Sequence, residues 1–168
     1  MATRIIRELG EDVLRKNAKP VKTVDEKIIQ LLDDMAETMY EANGVGLAAP
    51  QVGILKQIVV IDIGDENGLY EIINPVILEQ SGEQTGNEGC LSVPGKMGVV
   101  TRPSYVKVEY TNRDGERVVA EGQDLFARAV CHEVDHLSGI LYVDKVEGEL
   151  SDVETEEEPE LEPNVTVR

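Results

Sequence analysis

The chain has 168 residues with 41% hydrophobic and 29% charged residues, the size and make-up of one soluble domain with a real core. Its net charge of −17 opposes non-specific binding to nucleic acid or anionic lipid, and no apolar run reaches membrane-spanning length. Trp is absent and Phe126 is the single phenylalanine, so the core must rest on Ile, Leu, Val and Met.

The amino-terminal stretch MATRIIRELGEDVLRK interleaves charges with aliphatic residues and does not read as a signal peptide. With two cysteines and no export signal, a structural disulfide is not expected, and the chain is expected to be cytoplasmic with reduced thiols.

Between Thr23 and Asn43 the apolar residues Ile28, Leu31, Leu32, Met35 and Met39 recur at helical spacing, while Asp33, Asp34 and Glu37 fall on other faces. This predicts an amphipathic helix, with Thr23 and Glu26 as its capping box and Gly44 as its stop. From Gln57 to Tyr110 the texture becomes β-rich, in QIVVIDI, YEIINPVIL and YVKVEY. RDGER followed by VVAE predicts a hairpin through Asp114 and Gly115. DLFARAVCHEVDHLSG then returns to helical spacing, with Leu125, Ala129 and Leu137 on apolar faces and Gly139 as the stop. Helix, antiparallel strands and a second helix make an α+β domain. From Glu147 to Glu162 there are nine acidic residues and no basic one. Such a run cannot bury enough apolar surface to offset its ordering entropy. The expectation is a catalytic domain over residues 1–146 and a solvated, disordered acidic tail over 147–168.

Both histidines of the chain lie in CHEVDHLSG, residues 131–139. On a helix His132 and His136 share a face and can hold one ion, while Glu133 points about 100° away from His132, near the site without having to ligate. This H-E-x-x-H pattern is a metal-and-base motif of moderate specificity. A catalytic site of this type needs a third protein ligand and an open position for water. No histidine follows, and the downstream glutamates begin at Glu147, mostly in the acidic run. A thiolate is therefore expected. Cys131 adjoins His132 on one helix and projects elsewhere, which suits a packing residue. Cys90 lies in the loop-like, glycine-rich GNEGCLSVPG and is the expected third ligand.

Three segments, GVGLAAPQVG (residues 44–53), EGCLSVP (88–94) and CHEVDHLSG, together resemble the peptide deformylase family in order and spacing. EDVLRKNAKPV resembles that family's amino-terminal region, and the likeness spans about residues 5–146. The resemblance implies antiparallel sheets around a central helix that carries HExxH, plus an N-terminal amphipathic helix. It implies Cys90, His132 and His136 as metal ligands and Glu133 as general acid/base. Gln51 and the Leu91 backbone N–H would be oxyanion donors, and Val45 and Gly46 would border the substrate backbone. Glu88, Gly89, Leu125 and Ala129 would lie around the pocket for its first side chain.

The implied reaction removes the formyl group from the N-terminal formyl-methionine of newly made polypeptides, met transiently at the ribosome, and releases formate. The implied ion is Fe(II), with Ni(II) or Co(II) as functional substitutes and Zn(II), usually a poor one, able to occupy the site in purified protein. A monomer without membrane or direct nucleic-acid binding is expected. Arg102 is a candidate to brace Glu88 in the cysteine segment. Two rivals, a general zincin endopeptidase and a metal-storing module, fit less well. The first has no use for an upstream cysteine ligand, and the second has no use for Glu133 and Gln51.

Overall fold

A computed structural model describes residues 2–153. The predicted amphipathic helix is present as α1 (Glu26–Glu41), with Ile28, Leu31, Leu32, Met35 and Met39 buried. Its cap differs from the expected box. Asp25 accepts the N–H of Ile28 at 3.0 Å, which makes Glu26 the first helical residue rather than the third, so Thr23 takes no capping role. The stop is also one residue earlier. Asn43 adopts φ 61°, its N–H meets the Tyr40 carbonyl at 3.0 Å and that of Gly44 meets the Met39 carbonyl at 2.9 Å, a Schellman ending.

A five-stranded antiparallel sheet follows, in the order β1 (Gly46–Ala48), β2 (Ile58–Ile61), β3 (Tyr70–Ser81), β6 (Tyr105–Thr111), β7 (Arg117–Gln123). The expected hairpin through Asp114 and Gly115 joins β6 and β7, pairing Thr111 with Arg117. The second helix, α2 (Leu125–His136), packs on one face of this sheet and α1 on the other. The period-2 rule decides which residue meets which helix. Leu47, Ile58, Val60 and Ile73 join the cluster of α1, whereas Ala48, Val59, Ile61 and Ile72 join that of α2. That double burial explains why β2 reads as an unbroken aliphatic run.

A second sheet has the order β4 (Gln84–Cys90), β5 (Val93–Arg102), β8 (Glu147–Asp152). It corrects two expectations. The segment around Cys90 is the tip of a hairpin rather than a loop, with Cys90 paired to Val93 across Leu91 and Ser92. Its glycines and polar residues carry no apolar alternation, so the strand pattern is not visible in the sequence. The acidic stretch also begins as a strand, because Glu147 pairs with Val99 and Asp152 with Lys96. Gly98 leaves room for it, since a Cβ there would meet Val146 at 2.7 Å and Leu150 at 3.1 Å. The remainder of the expected tail, residues 154–168, lies outside the described residues. Among the described residues no helix is long and apolar enough to cross a membrane.

Gly139 closes α2 as expected, at φ +76°, and a Cβ there would lie 2.6 Å from the Arg15 carbonyl oxygen. Backbone cannot yield as a side-chain tip can, so Gly139→Ala should lower stability by about 1–3 kcal/mol. Thermal melting of the variant checks this, and an unchanged midpoint would contradict it.

Candidate metal centre

The two histidines project from one face of α2, with ring centroids 5.1 Å apart. The end of β4 brings Cys90 to the same place. One donor atom each from Cys90, His132 and His136 lie within 4.8 Å of one another, and all three residues are buried. The Cys90 sulfur stands 3.4 Å from His136 Nε2.

Several features fit these residues to a metal ion. Glu88 Oε1 lies 2.8 Å from His132 Nδ1 and accepts its N–H, which fixes the ring and leaves Nε2 as the nitrogen that can meet an ion. That Nε2 is buried without a hydrogen-bond partner among the described residues, an arrangement costly unless something else engages it. His136 is held well below the ordinary histidine range by burial and by the neighbouring His132, so its ring is neutral, the ligating form. Although burial opposes it, His132 is held well above the ordinary histidine range by Glu133, Cys90 and Glu88, so an ion would replace the proton on Nε2. A thiolate with two neutral imidazoles suits a borderline-soft divalent cation.

Glu133 is 1% exposed, and among the described residues neither of its carboxylate oxygens has a hydrogen-bond partner. Oε2 is 3.9 Å from His132 Nε2. Burial raises its pKa to about 7 even though His132 pulls the other way. Gly46 on β1 makes space for this carboxylate, since a Cβ there would sit 2.5 Å from Oε2. Gln51 lies in the short 3-10 turn Ala49–Val52 that follows β1. Its Oε1 accepts the Ala48 N–H at 2.9 Å, and its Nε2 donates to Ser92 Oγ at 3.0 Å and faces the Cys90 sulfur at 3.5 Å.

The structure therefore brings Cys90, His132, His136, Glu133, Gln51 and Gly46 together. Val45, half-buried, precedes Gly46, and its carbonyl accepts the Asp62 N–H at 2.9 Å. Gly89 and Leu91 line a cleft of about 150 Å³ beside Cys90, with Pro94, Met97 and Val153 on its other walls. Ala129 is fully buried in the core under α2, and Leu125 packs half-buried against that core. Cys131 is buried there too, its thiol pushed up to about 11 by burial, as befits a packing residue.

Glu88 has a different position from the one expected of a pocket residue. It is fully buried, and its carboxylate is consumed by ion pairs. Arg102 donates to it through Nε at 2.7 Å and Nη2 at 2.9 Å, and Arg128 through Nη1 at 2.7 Å. Arg102 also reaches Asp135 at 2.7 Å. Burial opposes the Glu88 charge, but hydrogen bonds from Arg102 and His132 outweigh it and hold the carboxyl well below its usual range. The bracing role considered for Arg102 is thus present. Arg128 and Ser92 are additions that the sequence reading missed. Arg128 precedes His132 by one helical turn, and a charged residue inside an apolar face is the signal that could have found it. Ser92 carries no such signal.

The model of the polypeptide deformylase family matches residues 3–151. The chain is 63% identical over 146 residues to a peptide deformylase of Acetivibrio thermocellus, covering 87% of this chain and 85% of that one. It is 60% identical over 160 residues to one of Agathobacter rectalis, covering 95% and 100%. Among solved structures, a peptide deformylase of Thermotoga maritima superposes with TM-score 0.85 at 44% identity, covering 88% and 100% of the two chains. One of Legionella pneumophila does so with TM-score 0.84 at 46% identity, covering 87% of each. By sequence, fold and the place of its metal-ligating side chains, this chain belongs to the peptide deformylase family.

Proposed function

We propose that the chain removes the formyl group from the N-terminal formyl-methionine of newly made polypeptides and releases formate. The observation that carries this reading is the buried Glu133 carboxylate, without a hydrogen-bond partner among the described residues, beside the Cys90–His132–His136 cluster. A storage site would be closed by a fourth protein ligand and would not keep such a group.

Cys90, His132 and His136 would hold the ion. When bound, it polarises the formyl carbonyl and brings the pKa of a water molecule toward ~7. Glu133 accepts a proton from the attacking water and passes it to the leaving amine nitrogen, which frees the amino terminus. Gln51 Nε2–H and the Leu91 N–H stabilise the oxyanion, each donor worth about 3 kcal/mol. Val45 and Gly46 border the peptide backbone of the substrate, and Gly89, Leu125 and Ala129 lie around the pocket for its first side chain. Glu88 contributes from behind by orienting His132.

The family resemblance favours Fe(II), with Ni(II) or Co(II) able to substitute, and the softness of the thiolate also admits Zn(II). The partners are nascent formylated chains met transiently at the ribosome, and the enzyme works as a cytoplasmic monomer without direct nucleic-acid binding. Protein purified anaerobically with Fe(II) or Ni(II) should release formate from a formyl-Met peptide and leave the unformylated peptide intact. Cleavage of internal peptide bonds would instead point to an endopeptidase.

A further inference from the structure

We infer that Ser92 is a positioning residue that fixes the direction of the Gln51 side-chain amide; this rests on the hydrolytic reading above. Ser92 is fully buried and Gln51 is 1% exposed, so no water competes for their hydrogen bonds. The Ala48 N–H lies 2.9 Å from one end of the Gln51 amide. Because that neighbour is a donor, the end facing it must be the oxygen. The nitrogen then gives one N–H to Ser92 Oγ at 3.0 Å. An amide is planar, so with its oxygen and one N–H fixed, the direction of the second N–H follows.

That second N–H faces the Cys90 sulfur at 3.5 Å. Sulfur is a weak acceptor, so this N–H, already aimed, can give up that contact for an oxygen that arrives beside the ligand. Without the Ser92 hydroxyl, the first N–H has no acceptor in a dry site, and the amide pivots about its bond to Ala48. The backbone of both residues is strapped from the same side. The Arg7 N–H donates to the Gln51 carbonyl at 2.7 Å, and the Leu9 N–H to the Ser92 carbonyl at 2.8 Å. Residues 7–9 therefore set the spacing between the two side chains, and the hydroxyl sets the angle.

A double-mutant cycle on the full metal-loaded chain tests the inference. Ser92→Ala should lower kcat for formate release about 10-fold while KM changes less than about 2-fold. In a Gln51→Ala background the same substitution should change kcat by less than about 2-fold, because there is no amide left to aim. Ser92→Thr, which keeps the hydroxyl, should recover most of the rate. In zinc-loaded protein the Gln51 side-chain amide resonance should move in Ser92→Ala and return toward its original position in Ser92→Thr. Additive losses in the double variant, or an unmoved Gln51 resonance in Ser92→Ala, would overturn the inference. A wild-type protein that released no formate would instead overturn the hydrolytic reading beneath it.

Discussion

Glutamine in place of Glu133 should leave the folded protein and its metal content intact while lowering turnover by about 10²–10⁴-fold. The side chain is buried, and both carboxylate oxygens lack a hydrogen bond among the described residues. The folded chain therefore gains no hydrogen bond from that charge, and its desolvation cost outweighs the pull of His132. Glutamine has the same shape, fits the space that Gly46 leaves, and cannot take a proton. Activity and stability should move in opposite directions, with the melting midpoint unchanged or raised as kcat falls. That contrast separates a catalytic role from a structural one. Steady-state formate release, metal analysis and a thermal melt on the same sample make the comparison. A variant that kept more than about a tenth of the wild-type rate would remove Glu133 from its assigned place.

How much of this site could be read in the sequence depended on how far apart its parts lie. His132, Glu133 and His136 sit on α2, where helical spacing translates directly into direction, and the ligand pair was legible from spacing alone. Cys90 was reachable only by asking which thiol could complete the set. Its place at the tip of a β hairpin was hidden, because QTGNEGC has none of the alternation that marks a half-buried strand. The strand in the acidic stretch was hidden for the opposite reason. Its side chains are all exposed, and what holds it is backbone pairing to β5 over Gly98, which no composition rule reports. The central sheet was legible in its aliphatic runs, because α1 and α2 cover both faces of β2. Glu88 was misplaced for a subtler reason. A glutamate beside a ligand can face the substrate or face inward, and the arginines that decide the matter lie on β5 and α2.

Replacing Glu88 by alanine should give the largest loss of stability of any single change at this site, about 3–5 kcal/mol. The carboxylate sits between the Arg102 and Arg128 guanidinium groups, whose side chains are 2% and 6% exposed. Its removal leaves two like charges side by side, out of water, with the half-buried Asp135 on Arg102 as the remaining counter-charge. Arg128→Met is the informative contrast. It removes the positive partner that makes fewer bonds to Glu88, and Arg102 and His132 still hold the carboxylate. The loss there should be less than half as large. The same substitution of Glu88 also frees His132 Nδ1, so the ring loses the bond that sets its tautomer and tilt. Metal affinity should then fall about 10–100-fold even where the variant is folded. Urea unfolding measures the first effect, and competition with a chelator in folded protein measures the second. Wild-type affinity in a destabilised Glu88→Ala would mean that the carboxylate serves only to neutralise the arginines. A loss of both would tie the ion pairs of β4, β5 and α2 to the metal ligand they surround.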